Sequence, residues 1–169
     1  MSAVIESHHD DHHHGPAKGF SRWLYTTNHK DIGSLYLWFS FIMLFVGGAM
    51  AMVIRAELFE PGSQIVSPEF YNQMVTNHGL IMVFGVIMPA FVGLANWMIP
   101  MQIGAPDMAL PRLNNLSFWI LPAAFGVLLS TFLMEGGAPN FGWTFYAPLS
   151  TEYAPPTVTF FIFSVHIMG

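Results

Sequence analysis

The stretch VTNHGLIMVFGVIMPAFVGLANWMIPM, from Val75 to Met101, decides the fold. Its 27 residues carry no formal charge, and about 20 apolar residues are enough to cross the hydrocarbon core of a bilayer. It reads as a membrane-spanning helix. His78 stands near one end, Pro89 in the middle and Asn96 near the other. A polar or ionisable group inside such a helix is costly, so each one marks a candidate site. Imidazole is also the commonest protein ligand for haem iron and transition metals. The alternative for His78 is a hydrogen bond to a neighbouring helix.

The rest of the chain agrees with a membrane class. Of 169 residues, 53% are hydrophobic and 9% charged, against about 25% charged in soluble domains. Four charge-poor segments follow one another, at about 32–55, 75–101, 116–134 and 157–169. The expectation is an all-α membrane protein with four transmembrane helices. The fourth segment, about 20 Å long at 1.5 Å per residue, is shorter than a bilayer core of about 30 Å. It is therefore expected to be cut off inside a helix.

Charge placement orients the helices. Lys18, Arg22 and Lys30 precede the first segment, Arg112 lies between the second and third, and Arg55 alone falls in the first connection. Positive residues favour the cytoplasmic side, so the N-terminus is expected there, in a multi-pass protein of the bacterial inner membrane. Residues 1–17 include Ser7-His-His-Asp-Asp-His-His-His-Gly-Pro16, expected to be a disordered, solvated tail, with transient metal binding as the other reading. Residues 18–169 form the transmembrane domain. There is no cysteine, so thiolate metal sites and disulfides are excluded. With five basic residues in all, nucleic acid is not an expected partner.

Several residues could carry chemistry. On a straight helix His78, Met82, Gly85, Pro89, Gly93 and Asn96 share one face, and the two glycines would admit a flat macrocycle or a second helix. Pro89 is expected to kink the rod. Arg55, at the outer end of the first helix and read as level with His78, either snorkels to headgroups or donates to a cofactor. Asp107 is the acid on the inner side, with Asn96, Asn114 and Asn115 near it. A carboxylate at a pore mouth can collect protons and amides can hold relaying water, whereas turn and cap chemistry would also explain them. His166, in the short last segment, is expected to hydrogen-bond rather than ligate metal.

Seven motifs in order narrow the choice: Thr27-Asn-His-Lys-Asp-Ile-Gly33, Ile54-Arg-Ala-Glu57, His78-Gly-Leu-Ile-Met-Val-Phe84, Asn96-Trp97, Ile103-Gly-Ala-Pro-Asp-Met108, Pro111-Arg-Leu-Asn-Asn-Leu-Ser-Phe-Trp119 and Gly142-Trp-Thr-Phe-Tyr146. Together they resemble subunit one of the A-type haem-copper oxidases, the cytochrome c oxidases of aerobic respiration. The resemblance implies a twelve-helix bundle of which this sequence is the first third. It implies that His78 is an axial ligand of low-spin haem A, that Arg55 contacts the haem formyl group, and that Trp143 lies near the propionates. It implies a peripheral calcium or sodium site at Glu57 and Gly62. Asp107 matches the mouth of a proton pathway, with Asn96 and Asn114 further in.

By the same resemblance, the second axial histidine, the copper ligands and the second haem A belong to later helices. No catalytic residue of the haem-copper centre is expected in this sequence. The implied activity is electron transfer from cytochrome c through low-spin haem to a haem-copper centre, with oxygen reduction and proton pumping. The implied partners are oxidase subunits two and three and membrane lipid. Two other readings stay open. Twelve methionines and the histidine-rich tail suit a copper or other metal transporter, and a short chain could serve as a non-catalytic assembly piece.

Overall fold

The computed structural model describes residues 19–169; the histidine-rich tail lies outside the described residues. Helix α1 (Phe20–Tyr25) is short and lies at the entrance to the bundle. Three helices are long and apolar enough to span a membrane: α2 (His29–Glu57), α3 (Pro68–Gln102) and α4 (Pro111–Leu133). The last element, α5 (Val158–Met168), is apolar but 11 residues long.

The long helices extend beyond the apolar runs seen in the sequence through polar first turns, which side chains cap in α2 and α3 and which a proline opens in α3 and α4. The Asn28 side chain accepts the Lys30 N–H at 2.9 Å to start α2. Ser67 does the same for Phe70 at 3.2 Å, with Pro68 pre-set in the first turn of α3. Helix α3 therefore begins seven residues before Val75, and α4 begins at Pro111 rather than 116. Asp31 lies in the first turn of α2, where it accepts two hydrogen bonds from Arg22, at 2.8 and 3.2 Å, and one from the Thr26 hydroxyl at 3.1 Å. That hydrogen bonding, together with the carboxylate's charge, raises the Arg22 pKa above its ordinary value.

Helix α3 is one rod with a defect. Residues Ile81–Ile87 form a π-helical segment, in which the Met88 N–H reaches back five residues to the Val83 carbonyl. Pro89 follows it. In a regular α-helix the proline ring would collide with the carbonyl four residues earlier, and the wider turn just before Pro89 relieves that collision. Within this segment the Val86 carbonyl accepts a hydrogen bond from the Ser40 hydroxyl of α2 at 2.8 Å.

Helices α2 and α3 run antiparallel in close contact, and glycines set the distance. A Cβ on Gly33 would stand 2.8 Å from the Gly93 carbonyl oxygen, and one on Gly93 would stand 2.9 Å from that of Gly33. At Gly85 a Cβ would crowd the Phe125 ring of α4 at 3.0 Å. These glycines receive neighbouring helices, so of the two expectations for them helix packing holds. The core between α2, α3, α4 and α5 includes Tyr36, Met43, Ile81, Phe118, Phe125, Leu128 and Phe161. Helix α5 is pinned to α4 by the buried Ser164 hydroxyl, which donates to the Ala124 carbonyl at 2.8 Å.

Overpacking a tight contact costs about 1–3 kcal/mol. Gly33→Leu is expected to lower the thermal midpoint of the purified protein, whereas Gly126→Ala, with nothing near its missing Cβ, should leave it unchanged. Equal midpoints for both variants would remove the glycine contact as the determinant of helix spacing.

Candidate functional site

Two polar regions lie at opposite ends of the α2–α3 interface. In the first, His78 of α3 faces Gly47 of α2, with its Nδ1 2.9 Å from the Gly47 carbonyl oxygen. A carbonyl only accepts, so Nδ1 carries the proton and the lone pair is on Nε2. Nε2 has no partner among the described residues, and the ring is half-buried. A backbone carbonyl holding one imidazole N–H is the usual way a metal-binding histidine is fixed in tautomer and direction. Both expectations for His78 are thus compatible: the hydrogen bond uses one nitrogen and leaves the other.

The residues beside His78 organise the loop 134–157. Asn77, fully buried, donates to the Pro139 carbonyl at 3.2 Å, and the Thr76 hydroxyl accepts the Gly142 N–H at 3.0 Å. These two bonds lay Trp143 on Gly79, where a Cβ would be 3.4 Å from the indole. Trp143 then lines a groove of about 330 Å³ with Leu80, Phe84, Phe145, Phe161 and His166. His166 bonds through Nδ1 to the Ile162 carbonyl at 2.9 Å.

Arg55 departs from the expectation about depth. Gly47 is the α2 residue level with His78, and Arg55 is eight residues further out, about 12 Å along the axis. It is exposed, and it has no ion pair or hydrogen bond among the described residues. Glu57, at the end of α2, is buried with its carboxylate accepting the N–H groups of Gln64, Ile65 and Val66, each at 2.9 Å. It closes the 58–67 turn, where Gly62 has a positive φ of 104°. A cavity of about 190 Å³ lies beside Glu57, Gly62 and Ser63.

At the other end, Asp107 sits on the connection between α3 and α4. Its Oδ1 accepts from the His29 backbone N–H at 3.3 Å, from His29 Nδ1 at 3.1 Å and from the Met108 N–H at 2.7 Å. His29 is buried, and its Nε2 has no hydrogen-bond partner among the described residues. A buried orphan nitrogen beside a carboxylate is a place for ordered water or a second proton.

A polar string crosses the three long helices nearby. Asn114 Nδ2 donates to Asn96 Oδ1 at 2.8 Å, the Ser117 hydroxyl donates to the Asn114 carbonyl at 2.7 Å, and Ser117 Oγ lies 2.9 Å from the Tyr36 hydroxyl. Because Ser117 uses its proton on Asn114, Tyr36 is the donor in that last pair. Asn115 instead ties α1 down, donating to the Leu24 carbonyl at 2.9 Å.

The structure therefore brings Asn96 and Asn114 together and places Asp107 at the mouth of the same interface. It puts His78 and Trp143 on neighbouring positions and leaves Arg55 and Glu57 further out. Sequence reasoning missed His29, Tyr36 and Ser117. The three-residue spacing of Asn114 and Ser117, one helix face, was the available signal for the last. No group of three or more His, Cys, Asp or Glu residues among the described residues could hold a metal ion.

Comparison with known proteins gives one answer. The sequence model of the cytochrome c and quinol oxidase polypeptide I family matches residues 31–169. The chain is 46% identical, over 92% of its length, to the cytochrome c oxidase subunit 1 of Corynebacterium diphtheriae, of which it covers 28%. It is 48% identical over 85% of its length to a probable cytochrome c oxidase subunit 1-alpha of Streptomyces avermitilis, covering 25% of it. A haem-copper oxidase subunit I+III of Aeropyrum pernix is 47% identical over 81% of the chain, which covers 17% of that protein. The chain thus spans about a quarter of the length of the two cytochrome c oxidase subunits and less of the third relative. On the family match and these identities, the chain belongs to the cytochrome c and quinol oxidase polypeptide I family.

Proposed function

We propose that this chain is the N-terminal part of the catalytic subunit of a cytochrome c oxidase, contributing one axial ligand of a low-spin haem A and the entrance of a proton pathway. The observation that carries the haem assignment is the His78 Nδ1–H bond to Gly47, which leaves Nε2 free on a half-buried ring. The residues fit a haem in donor type: with Nδ1 held by Gly47, Nε2 is a nitrogen donor of the kind that ligates haem iron. When bound, the haem iron supplies a one-electron redox couple. His78 would hold the iron through Nε2, Trp143 would pack beside the group from its place on Gly79, and Arg55 would offer its guanidinium to a polar substituent.

The rest of the oxidase reading needs the other three quarters of the subunit. The second haem A, the copper, the twelve-helix bundle, oxygen reduction and proton pumping belong to that whole, as do subunits two and three and cytochrome c. The proposed setting is the bacterial inner membrane, with the N-terminus cytoplasmic. The basic residues support this orientation: among the described residues Arg22, Lys30 and Arg112 share the Asp107 side, and Arg55 lies at the other end of α2.

In the proton pathway, Asp107 accepts a proton at its carboxylate, and His29 offers a second position at Nε2, one ring away. The Asn96, Asn114, Ser117 and Tyr36 string holds polar atoms inward of that entrance and can order water. A peripheral cation at Glu57 and Gly62 would share a carboxylate that already accepts three N–H bonds. Of the carboxylate's roughly four lone-pair sites, one remains.

Three experiments on the full-length oxidase test the reading. His78→Ala should abolish the low-spin haem signal in the reduced-minus-oxidised spectrum while the polypeptide still reaches the membrane; an unchanged spectrum overturns the ligand assignment. Asp107→Asn keeps the shape and removes the titrating oxygen. It should slow turnover at least tenfold in an oxygen-electrode assay, and normal turnover with normal proton uptake rejects the pathway. Arg55→Met should shift the low-spin absorption band, because a donor to a conjugated carbonyl would be lost. An unmoved band removes that contact.

A further inference from the structure

Lys30, in the first turn of α2, is a cation without a carboxylate. Its neighbour Asp31 is turned to Arg22 and Thr26, and no ion pair of Lys30 occurs among the described residues. Its ammonium is nonetheless held in place, 5.6 Å from the centroid of the Trp97 ring on α3. The Trp97 indole N–H donates to the Ser34 hydroxyl at 3.3 Å, and that hydroxyl donates to the Lys30 carbonyl at 2.8 Å. Cation, ring and first turn are thus one assembly.

One turn further along α2 an apolar groove of about 300 Å³ opens, lined by Ser34, Leu37, Trp38 and Phe41. Its wall is stiff: Trp38 packs edge-to-face on Phe41 at 5.9 Å, and Phe41 on Phe45 at 5.0 Å. Trp38 is 63% and Phe41 50% exposed. Lys30, Ser34, Leu37, Trp38 and Phe41 fall on one face of the helix at 100° per residue. From Lys30 to Phe41 is about 16 Å along the axis, close to half of a bilayer core of about 30 Å.

We propose that this face binds one anionic phospholipid of the leaflet at the N-terminal end of α2, with its phosphate on Lys30 and an acyl chain in the groove. The arrangement has the order of a lipid: a fixed positive charge at the interface, a hydroxyl just below it, then apolar wall for the depth of one leaflet. A free phosphate would have no use for the groove. The assignment is independent of haem ligation by His78.

The test is native mass spectrometry of the purified full-length protein, delipidated and returned to phosphatidylglycerol, phosphatidylcholine or inorganic phosphate alone. Wild type should retain one phosphatidylglycerol and prefer it to phosphatidylcholine, a selectivity that needs no variant. Lys30→Gln should reduce that preference about fivefold, the factor for one interfacial lysine, and Lys30→Arg should restore it. Trp38→Ala should loosen both lipids. Retention of no lipid, a preference unchanged by Lys30→Gln, binding unchanged by Trp38→Ala, or displacement by millimolar inorganic phosphate would each overturn the site.

Discussion

Everything in this structure depends on the close approach of two backbones at Gly33 and Gly93. Between helices immersed in lipid there is no hydrophobic force to speak of, because the acyl chains are as apolar as leucine, so dispersion and fit must hold them together. Removing two side chains from the contact lets α2 and α3 touch main chain to main chain. Once they do, Asp107 comes within reach of His29 at one end and His78 comes within reach of Gly47 at the other. The two sites are products of one interface.

The ends of that interface have different chemistry because they have different surroundings. His78 is surrounded by helix and by a loop that its neighbours Thr76 and Asn77 tie down, so the imidazole has one nitrogen spent and one available. Asp107 sits on a connection between helices, with its carboxylate oxygen shared among three donors and a partly exposed flank. Between them runs buried polar material, Tyr36 and Asn96 in particular, each satisfied by a partner on another helix. A spanning bundle tolerates such groups only when they are paired. Their pairing here crosses α2, α3 and α4.

Most of the helical plan was legible because a charge-free run of bilayer length admits few other readings. The ends were not, since capped polar turns such as Ser67 to Gln73 are helical without being apolar. The candidate residues were legible as types and motifs, but two facts needed coordinates. The depth of Arg55 relative to His78 depends on which residue of α2 lies opposite the imidazole, and nothing in a linear sequence says that it is Gly47. The roles of His29 and Tyr36 depend on partners 78 and 81 residues away, Asp107 and Ser117, a separation that no local pattern spans. The π-helical segment was equally hidden: Pro89 announces a disturbance, and a bend is as good a guess as a widened turn.

That widened turn has a further meaning. It lies between the imidazole and the amide, so it acts as a torsional joint between the two halves of a single rod, each already locked by its own contacts with α2. Loss of one residue from positions 81–87 would turn one half by about 100° relative to the other. Either the ring or the amide would then point away from the interior. The number of residues in this short stretch thus fixes the azimuth of two distant chemistries, although no side chain within it hydrogen-bonds to the imidazole or to the amide.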